Sequence, residues 1–398
     1  MITRLRVKNF KALRDVEVQL TPIHVLIGPN DSGKTSILDA LAALCRSVDH
    51  NLTDAFLGSW KGTELVWQGN FNLSVAIEVD FNDGAAVTGY AIDVMFAERT
   101  RREAVVEEET IRKGKKSLRS DVLGTLGPKI GSTRVRESES PGWKSPHKDE
   151  LRAVRSLLDG VHYYRWDPRL LALPVAPDKD RSFRMEQNGF GLALCLDDIL
   201  GYKRERFAEL ERRFTGIFPQ ITAIRLSPEM GYRAPVDNPV RVTMLEQSAG
   251  KGLYFELRTG GQPVPASQIS DGMLLVLAYL AVLYLPQPPR VLLVEEPENG
   301  IHPKRLCDVL GVLRELIQEQ SHTQVVLTTH SPYALDLFSP EEVTLCTMEG
   351  NGEVRTTRLS ESPTVMNQTD VFTLGEIWTA EGDDAIAQAQ ETTGEGAP

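Results

Sequence analysis

Gly28-Pro-Asn-Asp-Ser-Gly-Lys34-Thr35 decides the fold, because this stretch fits the phosphate-loop pattern GxxxxGK(S/T) in full. A short apolar run, Ile23-His-Val-Leu-Ile27, precedes the loop, and a helical pattern follows it over residues 36–44. In this order of strand, loop and helix, the glycines let successive N–H groups point inward, and the helix adds its positive N-terminal end. The stretch therefore predicts a site for a nucleoside triphosphate.

This loop supplies most of the residues that we expect to hold the nucleotide. Lys34 is expected to reach the β- and γ-phosphates, and Thr35 is expected to bind a magnesium ion. The predicted cofactors are therefore ATP and Mg²⁺. The nucleotide-binding residues predicted from the loop are Gly28, Asn30, Ser32, Gly33, Lys34, Thr35 and Ser36.

Length and composition indicate a folded protein of more than one domain, since 398 residues with 41% hydrophobic content can form a sizeable core. The net charge of -11 argues against binding nucleic acid with the whole surface, although a local basic groove stays open. The four cysteines are far apart and form no CxxC pair, which favours free thiols and a cytoplasmic location. The sequence shows no export signal and no run of 18 apolar residues, so no membrane partner is expected.

Apolar and polar residues alternate over most of the first hundred residues. The alternation predicts two antiparallel strands within residues 2–20 and further strands at 63–67, 73–81 and 87–96, with a turn at Asp83-Gly84. From residue 99 to about residue 150 the periodicity weakens, which predicts a long surface excursion. Its basic run, Arg112-Lys-Gly-Lys-Lys116, could contact phosphate backbones or form a solvated hairpin tip among acidic residues.

Two buried strand patterns in the second half end in side chains suited to ATP hydrolysis. Val291-Leu-Leu-Val is followed by Glu295 and Glu296. We assign Glu295 to the support of magnesium and Glu296 to the base that polarises the attacking water. A second strand pattern ends at His330, whose neutral imidazole could bond the γ-phosphate or that water. The predicted catalytic residues are therefore Glu296 and His330, and the predicted metal ligands are Thr35 and Glu295.

A helix predicted from residue 273 to residue 284 begins after Ser270-Asp-Gly272. A serine and a glycine at a helix N-terminus offer a hydroxyl and free N–H groups to one anion. Ser270 and Gly272 therefore join the predicted nucleotide-binding residues.

The set GPNDSGKT, SDGM, LLVEEPENGIHP and TTHSP resembles the ABC-type ATPase head of the RecF/SMC group, and most closely the AAA-type ATPases related to the OLD (overcoming lysogenization defect) family. The resemblance covers roughly residues 1–50 and 265–345. It implies a homodimer in which Ser270 and Gly272 of one subunit close over ATP held by the phosphate loop of the other. Only about 68 residues follow His330, so we expect a stand-alone form without the Toprim nuclease domain of OLD proteins.

The expected fold is α/β: an ABC-type P-loop head formed by the two ends of the chain, with an inserted mixed α/β region. We expect an N-terminal ATPase lobe at residues 1–96 and an insertion at 97–265 that includes a mobile 115–150 segment. A C-terminal ATPase lobe is expected at 266–385 and a disordered tail at 386–398.

The expected function is an ATPase that closes as a homodimer on ATP and opens on hydrolysis. This switch would act with double-stranded DNA, in repair or in anti-phage defence. The alternative is an ATP-dependent scaffold that restrains a separately encoded nuclease or toxin and never contacts DNA. A transporter ATPase subunit is disfavoured, because the signature is not LSGGQ and no convincing glutamine loop is present.

Overall fold

The computed structural model of the chain describes residues 1–57, 62–70, 72–82, 87–96, 104–119, 131–140, 144–177, 183–233, 247–319 and 323–388. The chain divides into two compact units. The first unit is made of Met1–His162, Pro289–Leu293 and His322–Pro398, and the second unit is made of Tyr163–Pro288 and Val294–Ser321. Each unit therefore combines segments that are far apart in sequence.

The strands are numbered in chain order. They are β1 Ile2–Phe10, β2 Leu13–Gln19, β3 Ile23–Ile27, β4 Val75–Phe81, β5 Gly89–Phe96, β6 Ala104–Lys113, β7 Lys116–Arg119, β8 Val161–Tyr164, β9 Ile221–Tyr232, β10 Gln247–Leu257, β11 Val264–Pro265, β12 Val291–Glu295, β13 Gln324–Thr328, β14 Val343–Met348 and β15 Val354–Arg358. The helices are α1 Lys34–Arg46, α2 Gly62–Leu65, α3 Arg134–Glu137, α4 Lys148–Leu158, α5 Pro168–Leu171, α6 Leu192–Tyr202, α7 Arg204–Ile217, α8 Asp271–Leu283, α9 Pro303–Glu319, α10 Pro332–Leu335, α11 Pro363–Met366 and α12 Leu374–Gln388.

The antiparallel sheet of the first unit has the strand order β2-β1-β4-β5-β6-β7. Strand β4 shows why these sequences form strands: Val75, Ile77, Val79 and Phe81 are buried and alternate with half-exposed residues. Successive side chains of a strand point to opposite faces, so one face of this sheet packs on the core and the other is more polar. The strands predicted within residues 2–20 are confirmed as β1 and β2.

The sheet that carries the phosphate loop has the order β15-β14-β3-β13-β12-β8. Strand β3 pairs in parallel with β13 on one side and with β14 on the other. All five residues of β3 and all five of β13 are buried. Continuous apolar burial is typical of parallel strands covered on both faces. The loop before α1 therefore begins at the end of a fully buried strand.

The second unit is organised around α8. Every residue of this helix from Leu274 to Leu283 is buried, which fits its apolar sequence on all sides. Helices α5, α6, α7 and α9 pack against it. An antiparallel sheet of order β11-β10-β9 completes the described part of this unit. Because most of α8 is buried, its N-terminus and Ser270 directly before it are held in place.

Two predictions of local structure are wrong. The alternation over 63–67 predicts a strand, but the chain forms α2 and a short 3₁₀ turn, Trp67–Gly69. The surface excursion predicted from residue 99 is wrong for its described residues, because β6 and β7 extend the first sheet and α3 buries Val135. Edge strands tolerate polar outward side chains, which hid this strand pair. The predicted turn at Asp83-Gly84 and residues 120–130 lie outside the described residues.

The domain limits drawn from the sequence, and the mobility of 115–150, stay predictions. The limit at residue 97 falls between β5 and β6, which are hydrogen-bonded neighbours in one sheet. Helix α12 continues to Gln388, past the predicted start of the tail at residue 386, and Ile386 is buried. The rest of the predicted tail, residues 389–398, lies outside the described residues.

None of the helices in the described part of the chain is both long and apolar enough to cross a bilayer.

Candidate nucleotide site

The phosphate loop curls around the ammonium group of Lys34. Nζ of this lysine donates hydrogen bonds to the carbonyl oxygens of Gly28 at 3.0 Å and Pro29 at 2.6 Å, and to the hydroxyl of Ser32 at 3.3 Å. Lys34 is only 6% exposed. A buried cation held by carbonyl oxygens is ready to exchange them for phosphate oxygens, which bear full charge and form stronger hydrogen bonds.

Two loop positions require glycine. Gly28 has φ +130°, and a Cβ there would lie 2.0 Å from the carbonyl oxygen of Cys346 in β14. Gly33 has φ +87°, and its Cβ would lie 2.7 Å from Cγ2 of Val354 in β15. L-residues with a side chain rarely adopt such φ angles. At these two positions the backbone of the loop therefore lies directly against β14 and β15, with no room for a side chain on the loop.

The other predicted loop residues lie on and beside the first turn of α1, which begins at Lys34. Asn30 and Thr35 are exposed, Ser36 is half-buried and Ser32 is buried. The exposed hydroxyl of Thr35 is thus open to a ligand at this helix terminus.

His330 follows β13, the parallel neighbour of the strand that leads into the phosphate loop. The N–H of Thr329 donates to the carbonyl oxygen of Leu26 at 3.1 Å, so the two chain segments stay paired up to the turn. Parallel strands end at the same edge of a sheet. The structure therefore places His330 and the phosphate loop at one edge of the sheet, within the first unit.

The carboxylate of Glu295, the last residue of β12, is buried, with only 4% of the side chain exposed. Two side chains from the end of β8 hold it. The hydroxyl of Tyr163 donates to Oε1 at 2.7 Å, and Nη1 of Arg165 lies 3.3 Å from Oε2. Both carboxylate oxygens thus have a donor of the second unit.

Glu296 has φ +47°, a left-handed conformation that is uncommon for a residue with a side chain. The side-chain amide of Asn299 donates to its Oε2, and the N–H of Asn299 donates to its carbonyl oxygen at 3.0 Å. Backbone strain of this kind is concentrated at functional sites, where surrounding contacts maintain it. The turn at residues 296–299 thus fixes the half-buried side chain of Glu296.

Ser270 precedes α8 in extended conformation, and its hydroxyl makes no hydrogen bond to the N–H groups of that helix. The residue is exposed. It lines a cavity of about 610 Å³ in the second unit together with Gly272, Gly300, His302 and Arg305, among others. The hydroxyl, the helix N-terminus and the guanidinium are groups that can bind an anion, while Asp271 also lines the cavity and Arg305 pairs with Asp308 at 3.0 Å.

The predicted site residues divide between the two units. The phosphate loop, Thr35 and His330 belong to the first unit, while Ser270, Gly272, Glu295 and Glu296 belong to the second. In the first unit, the phosphate loop and His330 lie at one edge of the sheet. In the second unit, Ser270 and Gly272 line one cavity, and Glu295 and Glu296 are consecutive residues at the end of β12.

Two family models match different parts of this chain. Residues 148–336 match the family model described as "AAA domain, putative AbiEii toxin, Type IV TA system", and residues 1–139 match the model described as "AAA ATPase domain". The OLD nuclease of Thermus scotoductus is 22% identical over 351 residues, which are 85% of this chain and 60% of that protein. The chain thus spans three fifths of the length of this curated relative.

Solved SMC heads share the fold. The SMC head bound to the C-winged helix domain of ScpA matches with a TM-score of 0.52 and 16% identity, over 89% of this chain and 97% of that one. The SMC head with an extended coiled coil, bound to the C-terminal domain of ScpA derived from Pyrococcus furiosus, matches with a TM-score of 0.50 and 13% identity, over 93% and 99%. Together these matches support the resemblance to AAA/ABC-type ATPases of the RecF/SMC/OLD group that the sequence motifs indicate. The predicted α/β head fold is confirmed.

Two of the predicted site residues carry oxygen atoms of the kind that bind Mg²⁺, the metal that the family implies. In nucleotide sites Mg²⁺ takes one or two protein oxygens and completes its shell with phosphate oxygens and water. The hydroxyl of Thr35 and the carboxylate of Glu295 are oxygen ligands of this kind. The role of each as a magnesium ligand stays a prediction.

Several residues of the candidate site were missed by the sequence analysis: Tyr163, Arg165, Asn299, His302 and Arg305. For the first two a signal existed, because residues two apart at the end of a strand share one face. Their partner Glu295 is more than 100 residues away in sequence, and no local pattern reveals such a contact. Asn299 and His302 lie within the quoted stretch LLVEEPENGIHP but were given no role, and Arg305 follows that stretch without a motif of its own.

Proposed function

We propose that this protein binds ATP with Mg²⁺, hydrolyses it, and uses the cycle to close and open a homodimer. The observation that carries the proposal is the curl of the phosphate loop around the buried ammonium of Lys34, which offers a cation and α1 N–H groups to a triphosphate. The match to the AAA ATPase domain supports the same assignment.

Each remaining residue then has a role. When Mg²⁺ is bound, Thr35 and Glu295 would supply oxygen ligands to it, and the ion would neutralise charge on the phosphates. Glu296 accepts the proton of the attacking water, and His330 donates or accepts a hydrogen bond at the γ-phosphate or at that water. Because ATP and Mg²⁺ are abundant there, we place the cycle in the cytoplasm.

Closure of the dimer is supported by the start of α8. The hydroxyl of Ser270 is exposed and is not used to cap its own helix, and Gly272 adds no side chain beside it. The free N–H groups of α8 can therefore receive the triphosphate held by a second subunit. ATP becomes part of the interface, so its hydrolysis weakens the dimer.

The test combines hydrolysis with mass. Glu296→Gln keeps the size of the side chain and removes the base, so steady-state hydrolysis should fall by about 10² to 10⁴-fold. With ATP this variant should sediment as a dimer, and Ser270→Arg should remain a monomer that still binds nucleotide. Hydrolysis by Glu296→Gln at the parental rate would remove the base from the scheme, and a monomeric trapped variant would remove the dimer.

We further propose that the closed dimer acts as a switch in a DNA-associated process, either repair or anti-phage defence. The likeness to an OLD nuclease supports this role. Double-stranded DNA should then stimulate hydrolysis several-fold, and the stimulation should fade as salt rises from low to moderate concentration, because phosphate contacts release counterions. The Glu296→Gln variant serves as the negative control for hydrolysis in this assay.

One observation favours a second candidate, a scaffold that restrains a separate nuclease or toxin without contacting DNA. Two residues of the basic run are already paired, Arg112 with Asp80 and Lys113 with Glu150, and Arg119 at the end of β7 pairs with Glu108. These ion pairs weaken the attraction of the three cations for a phosphate backbone. Hydrolysis unchanged by DNA, together with a protein that co-purifies with the trapped variant, would favour this candidate.

A further inference from the structure

Arg165 contacts the buried carboxylate of Glu295, the residue proposed to bind magnesium. Arg165 directly follows β8, and its Nη1 lies 3.3 Å from Oε2 of Glu295. The other oxygen of that carboxylate accepts a hydrogen bond of 2.7 Å from Tyr163. Tyr163 and Arg165 are two residues apart, so both side chains reach the same face of the strand end.

The two donors differ in charge and in freedom. Tyr163 is neutral and 6% exposed, so its hydroxyl orients the carboxylate without cancelling its charge. The side chain of Arg165 carries a full charge and is 63% exposed, whereas its backbone is fixed by the bond from its N–H to the carbonyl oxygen of Gln187 at 2.8 Å. The guanidinium can therefore move into solvent without disturbing the strand.

A cation on Glu295 competes with any other cation that needs the same carboxylate. Mg²⁺ binds oxygen ligands and is attracted to a carboxylate, and a paired guanidinium both occupies one oxygen of that carboxylate and lowers the local negative potential. We propose that Arg165 is a positioning residue that holds Glu295 while magnesium is absent and leaves it when the Mg²⁺–nucleotide complex binds. This inference rests on the proposed ATP function.

The exchange makes the end of β8 sensitive to the metal. Without Mg²⁺ the pair neutralises a carboxylate that would otherwise be buried with its charge unbalanced, which is costly. With Mg²⁺ the metal balances that charge, and Arg165 becomes a solvent-exposed cation at the strand end. Tyr163 keeps the carboxylate oriented in both states.

The experiment measures the Mg²⁺ requirement for binding a fluorescent, non-hydrolysable ATP analogue to the full chain. Arg165→Ala should lower the Mg²⁺ concentration for half-maximal binding by about 2- to 5-fold, the range for an ion pair with one exposed partner. Arg165→Lys keeps the charge and should restore most of the parental requirement. The matched control is Arg169→Ala, because Arg169 in α5 is also mostly exposed, at 71%, and pairs with Asp167.

A double-variant cycle isolates the contact. In a Glu295→Gln background, Arg165→Ala should no longer shift the Mg²⁺ requirement, since the carboxylate for which the two cations compete is gone. The inference is overturned if Arg165→Ala leaves the requirement unchanged or raises it, or if the shift persists in that background. If the parental protein binds no analogue at any Mg²⁺ concentration, the proposed ATP function fails and the inference fails with it.

Discussion

Replacing Gly28 by alanine tests whether the phosphate loop has its shape because β14 lies directly against it. The new Cβ would stand 2.0 Å from the carbonyl oxygen of Cys346, whereas ordinary carbon–oxygen contacts are above 3 Å. That carbonyl belongs to a strand paired with β3 on one side and with β15 on the other, so it cannot retreat without breaking a ladder. The collision must therefore be relieved by the loop.

Two costs add at this position. Placing a side chain at φ +130° strains the backbone and lowers the free energy of unfolding by about 1–2 kcal/mol. Forcing a methyl group against a fixed backbone atom costs about 1–3 kcal/mol more. We expect Gly28→Ala to lose about 2–5 kcal/mol of unfolding free energy, and to lose nucleotide binding because the loop has moved.

Gly352→Ala is the matched control, since Gly352 lies in the turn between β14 and β15, has φ +83°, and a Cβ there meets no atom within 4 Å. It carries the strain without the collision. Urea unfolding followed by circular dichroism gives the free energy of unfolding of both variants. If Gly28→Ala is no less stable than Gly352→Ala, the close approach of β14 does not shape the loop.

Three further predictions concern buried polar groups. Lys34→Ala should weaken ATP binding by about 10- to 100-fold, read by titration calorimetry, because a charge-assisted bond to phosphate is lost. Glu109→Gln should lower the free energy of unfolding by about 1–3 kcal/mol, since the amide NH₂ would face donors from Tyr90 and Arg134 that now bond the carboxylate; urea unfolding measures it. Burial lowers the pKa of His24 from 6.5 to about 3. Between these pH values the imidazole is protonated in the unfolded chain but stays neutral in the folded chain, so the free energy of unfolding is highest above pH 6.5 and decreases as the pH falls. His24→Gln should therefore lose about 2 kcal/mol less than the parent between pH 7 and pH 5 in the same assay.

The parts of the fold that the sequence predicts well are those with strong local causes. A buried apolar run that ends in GxxxxGK(S/T) has one favourable arrangement, and β3, the loop and α1 form as expected. The same holds for β12 and β13, whose apolar runs are buried. In these segments burial, periodicity and motif favour the same structure.

The segment of β6 and β7 was missed because its local signal is weak. Ile111 is buried, but so is the charged Glu109, and most of their neighbours are polar. The strand is stabilised by its ladder with β5 and by the donors that surround Glu109, both of them contacts with distant residues. Polar composition alone therefore predicted a loop where tertiary contacts form a sheet.

The two adjacent glutamates have different surroundings because their strand ends between them. Glu295 is the last residue of β12, and its buried side chain is held by Tyr163 of β8 and by Arg165, which directly follows β8. The next residue turns into the left-handed region, which directs Glu296 away from that face and into the turn closed by Asn299. A magnesium ligand needs a fixed oxygen that can stay on the ion beside phosphate oxygens and water, whereas a base must reach the attacking water. The change in backbone conformation at one peptide thus separates two chemically identical side chains, and this separation favours assigning magnesium to Glu295 and the attacking water to Glu296 rather than the reverse.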